Sequence, residues 1–239
     1  MWMQRHSILR LAVVMVVTIL FTGCGDATDP QSGLCPQGPE TFTFLEVGRN
    51  SSYSSKLRKQ MDERLGSSAI ARKSIITLSP GSGTLLSQRF PDLLQLNEKL
   101  NFPPGERVEH EVVKLMYRNV DKKKMPFDDV ELFFSGHSHC MMLMIIRTRL
   151  QGDDIVATLR EKYGAPQEAA ITGELAGKTL SWKKDPDRMV VFIRPDRNKT
   201  KTYEIWVYFV VPIQELIAVE QEKRENRSRT IRQSGEKAF

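Results

Sequence analysis

The sequence predicts an α+β fold, an antiparallel sheet with helices packed on one face, in two parts that read as a pseudo-repeat. Three observations carry this. Strand-like runs are separated by turn clusters rather than by helices, as in antiparallel meanders; the cleanest is Tyr203, Ile205, Val207, Phe209 and Val211, which alternate to one side. Short amphipathic helices interrupt these runs. Their stripes, Leu57-Met61-Leu65 and Ile155-Leu159-Tyr163, stand 98 positions apart, and each is stopped by a glycine at the same offset, Gly66 and Gly164. A stripe of this kind is also what any short amphipathic helix shows, so repeat and coincidence both stay open.

Taken in order, Gly25 to Glu40 is rich in Gly, Pro, Asp, Ser and Gln and reads as a flexible tether. Thr41 to Val47 has strand chemistry, and Gly48 to Ser52 is a turn. Ser54 or Ser55 caps the first helix. Ala69 to Leu78 reads as a second strand, closed by the turn Ser79-Pro80-Gly81-Ser82-Gly83. Leucines from Leu85 to Leu100 follow a helical period, with Pro91 placed for the first turn of a helix over Asp92 to Leu100. Arg107 to Val120 and Asp129 to Arg149 are two strand-like runs around a basic tip, Asp121-Lys122-Lys123-Lys124, which predicts one hairpin. Cys140 to Ile146 is apolar on both faces, as a covered central strand requires. Asp153 or Asp154 caps a helix to Tyr163, and a three-stranded meander follows over Thr179–Trp182, Arg188–Ile193 and Lys201–Val211. The last helix, from Ile213, is expected to dissolve after about Asn226 into a disordered charged tail. The divisions are therefore a leader 1–23, a tether 24–40, a first α+β unit 41–150, a second 151–227 and a tail 228–239.

The leader has its own chemistry. Arg5, His6 and Arg10 precede an apolar run from Leu11 to Phe21, too short for the ~20 residues that span a bilayer as a helix. It ends in Leu20-Phe21-Thr22-Gly23-Cys24-Gly25, which resembles the lipobox of bacterial lipoproteins, with Phe21 where Leu is more usual. That resemblance implies cleavage before Cys24, a covalent lipid on its sulfur, and anchoring by acyl chains, with the periplasmic face of the outer membrane as the default location. The segment from 153 to 211 resembles, on pattern alone, the small helix-plus-sheet domains of periplasmic lipoproteins that assist outer-membrane assembly.

Without residues 1–23 the chain has 35 − 2 = 33 basic and 29 acidic groups, a surplus of +4 that is interspersed rather than striped. Nucleic acid is not an expected partner. Anionic envelope polymers, an envelope protein and the membrane itself are. Gly-rich phosphate loops, His-Glu-x-x-His, Cys-x-x-Cys and Gly-x-Ser-x-Gly are all missing from the sequence. One cluster suggests a ligand: His137, His139, Cys140, Met142 and Met144 are soft donors that would suit copper, although on a strand His137 and His139 fall on one face and Cys140, Met142 and Met144 on the other. The same methionines also read as core filler. Asp128-Asp129 and Asp153-Asp154 read as turn and cap residues rather than catalytic acids. Cys35 and Cys140 are the pair left for a disulfide in an oxidising compartment, and a buried free thiol at Cys140 is the competing reading. The expected function is binding or assembly without catalysis; a copper-binding lipoprotein and an unrecognised hydrolase are the alternatives, which a groove lined jointly by His110, His137 and His139 would favour.

Overall fold

The molecule is built on an eight-stranded antiparallel sheet in the order β1-β2-β3-β4-β8-β7-β6-β5. Its computed structural model describes residues 35, 37–80, 84–118, 120, 125–148, 151–172, 176–195 and 201–238. The leader, Cys24, most of the tether and the basic tip 121–124 lie outside them. The strands are β1 (Ala69–Ser74), β2 (His110–Arg118), β3 (Asp129–Ser135), β4 (Met141–Thr148), β5 (Gln167–Ile171), β6 (Gly177–Lys184), β7 (Asp187–Pro195) and β8 (Lys201–Tyr208). The helices are α1 (Ser55–Leu65), α2 (Thr84–Arg89), α3 (Pro91–Leu100), α4 (Gly152–Tyr163) and α5 (Val210–Ala238). The expected α+β class, with helices packed on an antiparallel sheet, is what the chain adopts.

Two four-stranded meanders make the sheet, joined where β4 pairs with β8 from Leu143↔Tyr208 to Thr148↔Tyr203. Each begins with the same device. A helix ends at a glycine of positive φ, Gly66 (φ 94°, ψ −179°) or Gly164 (φ 85°, ψ −169°), and an edge strand starts three residues later at Ala69 or Gln167. That backbone region is open essentially to glycine alone. The 98-residue offset seen in the helices thus extends to the start of the strands, and the two-part pseudo-repeat is structural.

Buried side chains form two clusters. In one, Met61 and Leu65 of α1 and Val156 of α4 meet inward residues such as Leu115, Leu132 and Val207. In the other, Leu93 of α3 and Ile213 and Leu216 of α5 meet Val112, Phe133 and Trp206. The alternation along β2 and β8 assigns the clusters to opposite faces. β4, buried along almost its whole length, contributes to both.

Several sequence expectations are corrected. Thr41 to Val47 is not a strand: Phe44 and Val47 bond each other at 2.9 Å in both directions across Leu45 and Glu46, both at positive φ, so the segment closes on itself. Ala69 to Leu78 is a strand only as far as Ser74. Asp129 to Arg149 is two strands rather than one, because Gly136–Cys140 reverses the chain. Ser135 Oγ accepts from the backbone of His137 and Ser138 there, and a Cβ on Gly136 would stand 2.4 Å from the Glu111 carbonyl oxygen. Neither Asp153 nor Asp154 caps α4, which starts after Gln151 in a left-handed conformation without a side-chain cap. Gly152 opens that helix because a Cβ would stand 2.0 Å from the Tyr203 ring. The tail expected to be disordered continues α5 to Ala238, with Arg229–Glu225 and Arg232–Glu236 pairs at helical spacing.

Candidate functional site

The chain enters the fold at one end of the strands, and the groups of interest gather there. Cys35 is bonded to Cys140, with Cα atoms 5.4 Å apart. The segment after Cys35 then lies along the same strand end: Met141 donates its N–H to Ser51 O (3.0 Å), and Tyr53 donates to His139 O (2.8 Å). A buried carboxylate ties it to the second meander. Asp187, 1% exposed, accepts from Thr41 Oγ1 (2.7 Å) and from the N–H of Val210 at the start of α5 (3.1 Å), and faces Arg49 at 3.5 Å. A buried charge is tolerated only with such partners. Closing a loop of 105 residues, the bridge contributes up to ~4.7 kcal/mol in the chain-entropy account.

From Asp187 the helix α5 crosses the same strand end on the α2–α3 side. It packs against β7, β4 and β3 and reaches the head of β2, where Lys223 Nζ meets Glu111 at 3.4 Å. Beneath it His110 is fully buried, and neither ring nitrogen has a hydrogen-bond partner. Burial lowers its pKa below the ordinary value of 6.5; Glu220 opposes this, and Arg224 and Lys223 add to it. Where α5 leaves the sheet, a groove of about 800 Å³ opens between it and the end of α3, lined by Lys99, Phe102, Pro103, Arg224, Arg227 and Arg229 among others. Phe102 is 52% exposed, and the Arg224 guanidinium stands 5.5 Å from its ring centroid.

The cluster from His137 to Met144 is not brought together. Cys140 is half of the disulfide and has no thiolate to offer. Met142 lies in the core on the α5 side and Met144 in the opposite core. His137 is exposed on the turn, and His139 stands edge-on to Tyr53, 6.2 Å between centroids. His110, His137 and His139 thus occupy three different surroundings. Among the described residues no group of three or more His, Cys, Asp or Glu side chains is placed to hold a metal ion. The chain matches no protein-family model, no curated protein and no solved structure.

The sequence reading passed over Asp187, Phe102 and the arginines of α5. Asp187 stands in Asp185-Pro186-Asp187, where turn chemistry explains every residue without burial. The arginines carried a legible signal: Glu225–Arg229 and Arg232–Glu236 are four apart, a helical spacing inside a stretch whose composition suggested disorder.

Proposed function

We propose that this protein is a lipid-anchored component of the bacterial cell envelope, held by a covalent lipid on Cys24 and facing the periplasm, where it binds or helps assemble a partner rather than catalysing a reaction. The observation that carries this reading is the Cys35–Cys140 bridge. Disulfides persist in exported compartments. The bridge uses two of the three cysteines and leaves Cys24, at the end of the lipobox-like stretch, as the one outside it. It also fixes the length of the leash. Ten residues lie between Cys24 and Cys35, and the eleven Cα steps at ~3.5 Å each hold Cys35 within about 40 Å of Cys24. The default location remains the outer membrane. The copper reading has no support in the arrangement of its proposed ligands.

The test is Cys24→Ser in the native host. The variant is expected to accumulate at precursor size, without incorporated fatty acid, while the parent chain matures and partitions with membranes. Maturation of the variant to the parent's size, with undiminished membrane partition, would sink the proposal.

A further inference from the structure

We infer that the outer part of α5, together with Phe102 beside it, is a contact surface for anionic phospholipid headgroups. The inference takes its geometry from the lipid-anchor reading. From Glu225 to Glu236 the helix is exposed on every side. An isolated helix of that length is marginal in water, and two exposed ion pairs do little to hold it. A helix that leaves the body polar on all sides but for the exposed Ile231 calls for a partner.

Charge identifies the partner. Residues 224–236 contain four arginines (Arg224, Arg227, Arg229, Arg232) and two acidic groups (Glu225, Glu236), 4 − 2 = +2, and Lys99 adds to them across the groove. The side chains are mostly guanidinium, whose planar fork matches phosphate oxygens. Position points the same way. His110 and Glu111, over which α5 passes, pair through β2 and β3 with the strand end that bears Cys140, so the basic helix lies at the end from which the leash departs. Phe102 supplies what a purely ionic contact lacks, an exposed ring next to Arg224 that can enter the headgroup layer.

The experiment uses the chain without residues 1–24, which has no lipid; every described packing contact lies between residues 35 and 238. Its binding to vesicles of phosphatidylcholine, with and without phosphatidylglycerol, is measured by sedimentation at low and high salt. The chain is expected to bind only the anionic vesicles and to be released by salt. Replacing Arg227, Arg229 and Arg232 by Gln, a good helix former, should weaken binding roughly 100-fold, at about fivefold per basic residue. Phe102→Ala should weaken it up to about tenfold. Replacing Arg118, Lys178 and Lys201 by Gln removes as much charge from the exposed surface at the opposite strand end and should change little. Absence of binding, equal binding to neutral vesicles, or an equal loss in the two triple variants would each overturn the inference. Since this chain lacks Cys24, those outcomes leave the anchor reading standing, and an unmodified Cys24 would leave the vesicle result standing.

Discussion

The two halves of the sheet are alike on one face and exchanged on the other. On the first face α1 lies by Tyr117 of β2, near Asp62, Arg58 and Ser68, and α4 lies on Tyr203 of β8 through Gly152, so each helix covers its own meander. On the second face cover crosses the middle. The insertion α2–α3, which follows β1 where only five residues join β5 to β6, reaches the second meander: Arg89 donates to Ala170 O at 3.1 Å, Asp92 meets Arg188 at 2.6 Å, and Leu78 O accepts from the Tyr208 hydroxyl at 2.9 Å. In return α5, which follows β8, starts against β7 of its own meander and goes on to cover β4, β3 and the head of β2. The lesson concerns cooperativity. The repeated unit builds two similar meanders, but the elements that distinguish the halves fasten them together, so the molecule is expected to fold as one unit where the repeat alone would allow two.

The largest test of that statement is to separate the halves. Residues 35–150 and 151–239 expressed singly should show no cooperative melt by circular dichroism, losing the whole folding free energy, ~5–15 kcal/mol for a domain of this kind. Each would expose one side of the β4–β8 ladder and an uncovered apolar face. A sigmoidal melt from either fragment would mean that the crossing helices are ornaments on two independent domains.

A smaller effect tests the likeness of the halves. Gly66→Ala and Gly164→Ala place a side chain where a Cβ has open space, so backbone strain alone acts at both sites. Each should cost about 1–3 kcal/mol in denaturant melts, and the two costs should agree to within about 0.5 kcal/mol if the junctions are equivalent. A cost at one site and none at the other would break the equivalence.

What the sequence made legible divides along the same line. The repeated parts announce themselves locally: a stripe of three apolar residues, a glycine stop and an alternating strand need no distant partner to be recognised, and they were readable at α1, α4 and β8. The exchanged parts do not. Nothing in Leu85 to Leu100 says that this helical period will cover the other meander, and nothing in Cys35 or Cys140 fixes their distance. The break at Gly136–Cys140 was hidden because strands buried on both faces lose their alternation, so an apolar run on each side of a short turn reads as one long strand. The outer half of α5 was hidden for the opposite reason, having no apolar stripe at all. The candidate site, made by the bridge, Asp187 and α5, is assembled from long-range contacts, and only its cysteines and arginines could be noticed beforehand.

The smallest effect concerns how α5 sits on the first meander, and its sign follows from His110. This histidine is buried without a partner on either nitrogen, and burial, the first cause, holds its pKa below 6.5; Arg224 and Lys223 push the same way and Glu220 pushes back. The folded chain therefore keeps the ring neutral at pH values where the unfolded chain protonates it. Between 6.5 and the folded pKa the unfolded state binds more protons, so this contribution to stability is present above 6.5 and is lost as pH falls through that window, by at most ~1.4 kcal/mol per pH unit. His110→Leu removes the titrating group and leaves no unsatisfied nitrogen behind, so at neutral pH it should cost little. Melts of the two proteins from about pH 7.5 to about 5.5 should show the parent losing stability relative to the variant, by at most ~1.4 kcal/mol. Parallel curves would mean that His110 keeps a proton acceptor in solution, and that α5 seals the head of β2 less tightly than the exchange of cover between the halves requires.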